Sequence, residues 1–409
     1  MHILLLSIAY PPEVRSASLL TLEFAQALHA RGHRVTVVTS YPGYNLPSEA
    51  RGRHYDEVTD EGGVTVVRVR SMPVHKVGLL QRGIAELSLP RVFSKAAVRL
   101  VKEPVDVIEV YSPPLTLGLA GRSLKRKFGC PLVVNVQDLF PQNAVDLGML
   151  RPGPALWTFR AIEQSVYRGA DAITVHSSGN RTFLLDKRGQ PPNRVHVVPN
   201  WIDPVPFDAT ARTGRYREQY GLADRFVVLF AGVLGPAQGL DVVVDAAWEL
   251  HDFTDVVFLL VGDGTEKARL QEKVRARGQR NVQFESFVSE REYPALVKDA
   301  DVGLLSISGR YHTPVVPGKM LGYMAGGLPV VASLNVESDG HAFLKASGGG
   351  FSVLADNVPD LVEAVRRLRG DTTLRATMAT AGRAYVAEHC SRDRCVAQYE
   401  QLFETLVRR

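Results

Sequence analysis

A lysine at the predicted start of a short helix is the residue of this sequence best suited to electrostatic catalysis. Lys319 follows a proline-rich loop, residues 314–317, and precedes a buried strand-like run, residues 328–333. A cation in the first turn of a helix opposes the helix dipole unless an anion binds there. We therefore expect Lys319 to offset the negative charge of a diphosphate leaving group as its bond breaks. The alternative is a solvated surface lysine.

A glycine-flanked turn forms a second candidate anion site. The strand-like residues 226–232 run into a segment that contains Gly235, Gln238 and Gly239 before a predicted helix. Glycines let the backbone approach a ligand, and free N–H groups at a helix start favour an anion such as diphosphate. We predict Gly235 and Gln238 as ligand contacts, with Gln238 adding a side-chain donor. An ordinary strand-to-helix turn is the alternative.

Two closely spaced aspartates have the spacing of metal ligands but lie in an unsuitable place. Asp299 and Asp301 come at the end of a predicted helix and at the entry of the next strand. Ligands of parallel sheets bind at the opposite, carboxyl ends of the strands. We therefore predict that no metal and no cofactor are required, because Lys319 and helix ends would supply the positive charge.

Short apolar runs alternate with helix-period segments along the chain. The strand-like runs are residues 2–8, 34–40, 64–70, 105–112, 131–139, 172–178, 194–200, 226–232, 256–262, 282–287, 301–308 and 328–333. Strands that are apolar on both faces and separated by helices indicate parallel sheets covered on both sides. The periodicity breaks at residues 200–214, which read as a linker. The sequence thus predicts an α/β protein of two doubly wound domains, with its site in a central cleft that both domains face.

Composition excludes several other classes of protein. The formal net charge of +5 is too weak to predict a nucleic-acid partner. No apolar run reaches the roughly 18 residues of a membrane span, and the first residues read as a buried strand rather than a signal peptide. Three cysteines without paired spacing argue against a disulfide framework and a zinc site. A cytoplasmic location is expected.

The order and spacing of several motifs together resemble one enzyme family. The motifs are Tyr10-Pro11-Pro12-Glu13, Ser112-Pro113-Pro114-Leu115, Gln137-Asp138-Leu139-Phe140-Pro141, Val198-Pro199-Asn200-Trp201-Ile202-Asp203, the turn from Gly232 to Gly239, Gly262-Asp263-Gly264 and the Lys319 segment. The chain resembles the retaining glycosyltransferases of family 4, which have the GT-B fold of two Rossmann-like domains. Within them it is similar to the bacterial surface-polysaccharide branch that includes L-fucosamine transferases. The domains would be residues 1–205 on the acceptor side and 206–388 on the donor side, with a helix in 389–409 that crosses back to the first domain.

The resemblance implies a donor, an acceptor and roles for individual residues. The donor would be a nucleotide sugar, specifically a UDP-sugar carrying an N-acetyl-hexosamine or a deoxy relative, and the acceptor a glycan or a polyprenyl-diphosphate-linked saccharide. Ser16 matches the loop that lets the donor phosphates approach, and the backbone at Phe287 and Val288 would hold the donor base. Amides around Val315, Val316 and Met320 would meet the donor sugar and phosphates.

The chain departs from the family pattern at several of these places. Where many relatives have an arginine and a lysine beside the diphosphate, this sequence has Val233 and Gln238. Two glutamates of the family correspond to Pro314 and Gly322. The histidine common at the end of the fifth strand is Gln137, which leaves Asp138 as the nearest ionisable group. We predict Asp138 for acceptor positioning or acid/base catalysis, the alternative being a strand-end residue that binds loop amides.

A basic segment in the first half predicts a surface for a charged partner. Eight basic residues and a single acid, Glu86, lie between residues 68 and 102. In the helix predicted at residues 90–102, Arg91, Lys95 and Arg99 recur every four residues beside an apolar side. This pattern favours peripheral docking on an anionic membrane, the inner face of the plasma membrane. A solvated helix face is the alternative.

Two rival functions fit the same fold. A nucleotide-sugar epimerase would need no acceptor, and an inactive nucleotide-sugar-binding subunit would retain the cleft without turnover. A nicotinamide oxidoreductase is disfavoured, because Tyr10-Pro11-Pro12 follows the first strand where the glycine fingerprint would lie.

Overall fold

The computed structural model describes residues 1–75 and 77–408, apart from the side chains of Ser48, Leu79 and Leu80. The chain divides into two compact units, Met1–Pro199 together with Arg392–Arg409, and Asn200–Ser391. The divisions thus fall at 199/200 and 391/392, whereas the sequence predicted 205/206 and 388/389. Because residues 200–204 begin the second unit, the segment predicted as a linker is part of that unit.

The first unit is built on an eight-stranded sheet. Its strands are β1 (His2–Leu6), β2 (Arg34–Ser40), β3 (Val58–Glu61), β4 (Val64–Val69), β5 (Val107–Ser112), β6 (Leu132–Val136), β7 (Ala172–Val175) and β8 (Val195–Val197). The order is β3-β4-β2-β1-β5-β6-β7-β8, and the paired strands are parallel apart from the antiparallel β3–β4 pair. The short edge strand β3, which the sequence did not predict, is half-exposed and lacks the continuous apolar run of its neighbours.

Helices cover both faces of this sheet. They are α1 (Ser16–Ala30), α2 (Leu79–Leu100), α3 (Leu117–Phe128), α4 (Gln142–Asp146), α5 (Pro154–Gly169) and α6 (Ser178–Arg188). Side chains of α2, α3, α5 and α6 share one apolar core with the sheet. Helix α2 begins at Leu79 rather than at the predicted Pro90, because residues 81–89 are mostly good helix formers and continue the helix through the proline.

The second unit is built on a six-stranded parallel sheet. Its strands are β9 (Phe226–Ala231), β10 (Val256–Val261), β11 (Val282–Glu285), β12 (Val302–Ser306), β13 (Val330–Leu334) and β14 (Gly350–Leu354). The order β11-β10-β9-β12-β13-β14 places the switch in winding direction between β9 and β12. The half-exposed edge strand β14 was not predicted, since it begins in a run of three glycines.

The remaining helices belong to the second unit, except for the last one, which belongs to the first unit. They are α7 (Val205–Asp208), α8 (Arg215–Gln219), α9 (Asp241–Glu249), α10 (Lys267–Ala276), α11 (Tyr293–Lys298), α12 (Lys319–Ala325), α13 (Gly340–Ser347), α14 (Val358–Gly370), α15 (Thr372–His389) and α16 (Arg392–Val407). Helix α16 lies in the first unit, where its Tyr399 ring packs in a tilted arrangement against Phe24 of α1, with ring centroids 4.8 Å apart. The predicted fold class, two parallel-sheet α/β domains, is confirmed. No helix in the described part of the chain has both the length and the apolar character to cross a membrane.

Candidate functional site

Two glycines shape the carboxyl edge of the second sheet next to the switch point. Gly232 follows β9 and Gly262 follows β10, with φ of +152° and +155°. A Cβ added to Gly262 would lie 1.8 Å from the Gly232 carbonyl oxygen. Any larger residue at 262 would therefore push the two loops apart, and the glycines hold open the edge at which such sheets bind ligands.

Lys319 lies directly against Gly232 at the carboxyl edge of the second sheet. The aliphatic part of its side chain packs beside Gly232, and a Cβ added to Gly232 would lie 2.1 Å from the Lys319 Cε. The ammonium Nζ lies 5.4 Å from the centroid of the Phe230 ring. Among the described residues Lys319 forms no ion pair or hydrogen bond. Its partial burial lowers the pKa of the ammonium to about 8.

An unpaired, partly buried ammonium at this edge suits a multiply charged anion. Desolvation makes the charge costly without a partner and makes a bound phosphate correspondingly favourable. The aromatic face of Phe230 compensates only a small part of that cost. The arrangement can bind a diphosphate and stabilise the charge that develops on it.

The pH dependence of donor use should follow the ionisation of Lys319. A lysine is charged below its pKa, so the ammonium is present at pH 7 and is lost as the pH rises through about 8. We expect kcat/KM for the donor to fall on this alkaline limb, and kcat to fall at higher pH because bound diphosphate raises the pKa. Steady-state profiles from about pH 6 to 10 test this, with Lys319→Arg as the always-charged control. A level kcat/KM over that range would contradict the role given to Lys319.

The proline-rich loop before Lys319 is tied to the loop that follows β13. The Asn335 amide donates to the carbonyl oxygens of Tyr311 and Thr313, both at 3.2 Å, and the Ser338 hydroxyl donates to that of Val315 at 2.7 Å. In the described chain the N–H groups of Val315 and Val316 have no hydrogen-bond partner. Their amides are therefore free to bind a ligand, and their contact with a donor stays a prediction.

Met320 does not fit its predicted contact with the donor. Its side chain is fully buried in the core of the second unit, and its N–H donates to the Pro317 carbonyl at 3.0 Å. The residue therefore holds α12 in place and offers no group to a ligand. The sequence placed it correctly at a helix start but could not show which of its groups were already used.

The other predicted donor contacts lie in loops at the same edge of the second sheet. Gly235 is buried, and Gln238 is half-buried with no side-chain hydrogen bond among the described residues. Phe287 is 46% exposed, and Val288 packs partly against the core. Both follow the end of β11, with backbone N–H groups unbonded in that same part of the chain. These residues can reach a ligand at the edge.

Asp138 lies at the carboxyl edge of the first sheet, immediately after β6. The side chain is exposed, and its carboxylate makes no hydrogen bond within the described ranges. It therefore does not bind loop amides, the alternative weighed from the sequence. Desolvation by surrounding protein raises the pKa of Asp138, although its contact with water limits that rise. An exposed, unbonded carboxylate can position or deprotonate a hydroxyl.

The loop that contains Ser16 is organised by an arginine which the sequence did not single out. Ser16 is the exposed first residue of α1. The preceding Arg15 pairs with Glu13 at 2.6 Å and donates to His75 Nε2 at 2.7 Å. Burial and the adjacent guanidinium lower the pKa of His75 to about 4, so this ring is neutral and accepts the bond. Nothing in the sequence spacing joins residues 15 and 75.

Two family models match successive halves of the chain. A glycosyl transferase 4-like domain covers residues 18–201, and a domain of glycosyl transferases group 1 covers residues 225–371. Together they span most of its length. The chain belongs to the glycosyltransferases of the family 4 type.

Individual relatives of this glycosyltransferase support the assignment. A protein of Escherichia coli (strain K12), provisionally named colanic acid biosynthesis glycosyl transferase WcaI, is 29% identical over 90% of this chain and 92% of its own. The solved sucrose-phosphate synthase of Thermosynechococcus elongatus is similar in fold, with a TM-score of 0.79, 19% identity and 99% of each chain covered. Anabaena HepE, solved with UDP, gives a TM-score of 0.73 with 19% identity, over 99% of this chain and 100% of that one. The fold is GT-B.

Gly322, which corresponds to a glutamate of the family pattern, packs closely against Tyr293 in this glycosyltransferase. A Cβ there would lie 2.9 Å from the hydroxyl oxygen of Tyr293, the first residue of α11. The neighbouring Tyr323 hydroxyl accepts from the Ala231 N–H at 2.8 Å and so joins α12 to the end of β9. Tyr293 fills the space that a side chain at 322 would need. This pairing spans 29 residues and left no signal in the sequence.

Asp299 and Asp301 serve the amino edge of the second sheet. Asp299 accepts from the N–H groups of Gly214 and Tyr216, both at 2.8 Å, and Asp301 pairs with Arg217 at 2.5 Å. Their carboxylates are therefore engaged in structural bonds. Across the described residues, no group of three or more histidine, cysteine, aspartate or glutamate side chains could hold a metal ion.

The three predicted docking residues of α2 are not equivalent. Arg91, Lys95 and Arg99 are exposed, but Arg99 pairs with Glu57. Arg91 and Lys95 have no ion pair in the described part of the glycosyltransferase. The charge of Arg99 is partly compensated, so Arg91 and Lys95 are the residues of this helix that can bind an anionic partner.

Proposed function

We propose that this glycosyltransferase moves a sugar, an N-acetyl-hexosamine or a deoxy relative, from a UDP-sugar to an acceptor in surface-polysaccharide biosynthesis. The acceptor is a glycan or a polyprenyl-diphosphate-linked saccharide. The observation that carries the proposal is the unpaired Lys319 ammonium against Gly232. The UDP bound by HepE supports the nucleotide, and the name of the WcaI relative supports the pathway.

The proposed reaction breaks the bond between the anomeric carbon of the donor sugar and the diphosphate oxygen. UDP leaves with additional negative charge, which Lys319 and the amides of Val315 and Val316 stabilise. The acceptor oxygen forms the new bond on the face that UDP leaves, so the anomeric configuration is retained. The acceptor proton passes to a base, and Asp138 of the first unit is the residue we propose for positioning that hydroxyl or accepting its proton.

We propose that the reaction needs no metal ion or cofactor, since the charge of Lys319 replaces that of a cation. We also propose that the enzyme works on the cytoplasmic side, docked peripherally on the inner face of the plasma membrane. Exposed, unpaired Arg91 and Lys95 support this docking. An acceptor carried by a membrane lipid would be met at that surface.

A donor panel followed by a turnover assay tests the proposed function. Among UDP-, GDP- and dTDP-sugars, one UDP-sugar is expected to raise the melting temperature most, since a ligand that binds the folded state stabilises it. Adding a saccharide acceptor should then release UDP and form a glycoside, with or without a chelator. Product from donor alone would indicate an epimerase, and nucleotide binding without turnover an inactive subunit. A panel in which GDP-sugars alone stabilise the protein would overturn the assignment of UDP.

A further inference from the structure

The helix layer on one face of the first unit is strongly basic. Helices α2, α3 and α5 carry ten basic residues and two acidic ones. The two acids, Glu86 and Glu163, are buried at 6% and 1% exposure and pair with arginines of the same layer. Within the described residues these three helices therefore expose basic side chains and no acid of their own, although Glu57 and Asp171 of neighbouring segments pair with Arg99 and Lys125.

The outward stripe of α2 combines basic and large apolar side chains. Residues at helical spacing along this stripe are Ile84, Leu87, Arg91, Lys95 and Val98, all exposed. Ile84 and Leu87 are 53% and 52% exposed, which is unusual for apolar residues beside a basic face. A helix that only met water would carry polar residues at these positions.

A second exposed apolar pair lies at the start of α5. Trp157 is 69% exposed in the first turn of this helix, and Met149 is 53% exposed in the segment before it. Arg151 between them and Arg168 at the end of α5 have no ion pair in the described chain. An exposed indole with an unpaired arginine close to it in the chain, Arg151, is typical of side chains at a membrane interface.

The direction of the helices gathers these apolar residues at one edge. Helix α2 follows β4 and α5 ends two residues before β7, so both run from the carboxyl edge of the sheet to its amino edge. Ile84, Leu87, Met149 and Trp157 belong to the carboxyl-edge ends of this layer. Lys95, Arg126, Lys127 and Arg168 lie toward the amino edge. Asp138 is at the carboxyl edge too.

We infer that the carboxyl-edge end of this layer inserts into an anionic bilayer. Trp157, Met149, Ile84 and Leu87 enter the headgroup boundary, and the nearest basic residues, Arg91 and Arg151, bind anionic headgroups. Lys95, Arg126 and Lys127, which lie farther along the layer, attract the anionic surface at longer range when the salt concentration is low. Nucleic acid would need the positive charge but not the large exposed apolar side chains, so the surface favours lipid. This inference rests on the proposed membrane docking. It adds the inserted residues and an orientation in which the Asp138 edge faces the lipid-borne acceptor.

Vesicle binding of the full-length protein tests the insertion. Trp157→Ser with Met149→Ser is expected to weaken binding to vesicles of phosphatidylglycerol and phosphatidylethanolamine by at least about tenfold, because the buried apolar area is lost. Arg91→Gln with Lys95→Gln should weaken it by about tenfold at low salt. The matched control in the second unit, Arg280→Gln with Lys345→Gln, removes two exposed unpaired cations and should leave binding unchanged.

Tryptophan quenching reports the depth of insertion directly. The chain has three tryptophans, and with Trp201→Phe and Trp248→Phe only Trp157 emits. Brominated lipids should quench this emission, whereas a Trp157→Phe protein that keeps Trp248 should not be quenched. Unquenched Trp157, unchanged binding of the serine variant, or a mobility shift with RNA in place of vesicle binding would each overturn the inference. Stabilisation by UDP and turnover with a water-soluble acceptor are measured on the same proteins, so loss of the proposed transferase activity is recognised separately.

Discussion

Replacing Lys319 with alanine is expected to lower turnover at saturating donor by at least about tenfold. The ammonium is an unpaired cation against the Gly232 edge, so its removal takes away charge that the departing diphosphate gains in the transition state. Steady-state kinetics with a saturating UDP-sugar measure the effect. An equal fall in kcat and kcat/KM would show that the interaction is made in the transition state rather than on donor binding.

Protein stability separates this loss of activity from misfolding. Because Lys319 is a partly buried charge without a counter-ion, the Lys319→Ala protein should melt at the same temperature as the native enzyme or at a higher one. Lys345→Ala is the matched control, since Lys345 is an exposed lysine of α13 without an ion pair in the described chain. It should retain full turnover. Unchanged turnover in Lys319→Ala would remove this residue from the mechanism.

The sequence predicted the two sheets because their central strands carry a strong local signal. Runs such as β9 and β10 are apolar at every position, and only a parallel sheet covered on both faces buries such runs. The edge strands β3 and β14 are half-exposed and lack this signal. Composition along the chain therefore located the interior of each sheet better than its edges.

The part of the candidate site that the sequence predicted is also local in the chain. Lys319, Val315 and Val316 belong to one continuous segment, so the sequence alone places them close together. The contact of Tyr293 with Gly322 and the bond from Arg15 to His75 join distant segments through the fold. Residue types and spacing do not predict such contacts between distant segments.

A buried glutamate in the middle of the first sheet is a further feature that the sequence did not predict. Glu109 lies on the central strand β5, is 3% exposed, and points away from the core side chains Ile108 and Val110. Burial raises the pKa of its carboxyl to about 8, with a hydrogen bond to Asn135 opposing the rise. The carboxyl is therefore protonated in the folded protein at neutral pH, whereas the unfolded chain ionises it near its ordinary value of 4.5.

Glu109→Gln is therefore expected to stabilise the enzyme at pH 8 by about 2–4 kcal/mol and to have little effect at pH 4. Below the pKa of the unfolded state, Glu109 is protonated in both the folded and the unfolded protein. Folding then carries no cost for removing a charge from water. As the pH rises toward 8 the unfolded state alone loses the proton, so the native protein loses stability that the neutral amide retains. Urea unfolding of both proteins across this pH range measures the difference.

Glu163→Gln gives the opposite control, because it deprives Arg188 of a buried partner at 2.8 Å and should destabilise the protein at pH 8. A difference between Glu109→Gln and native protein that does not change with pH would show that Glu109 is ionised in the fold.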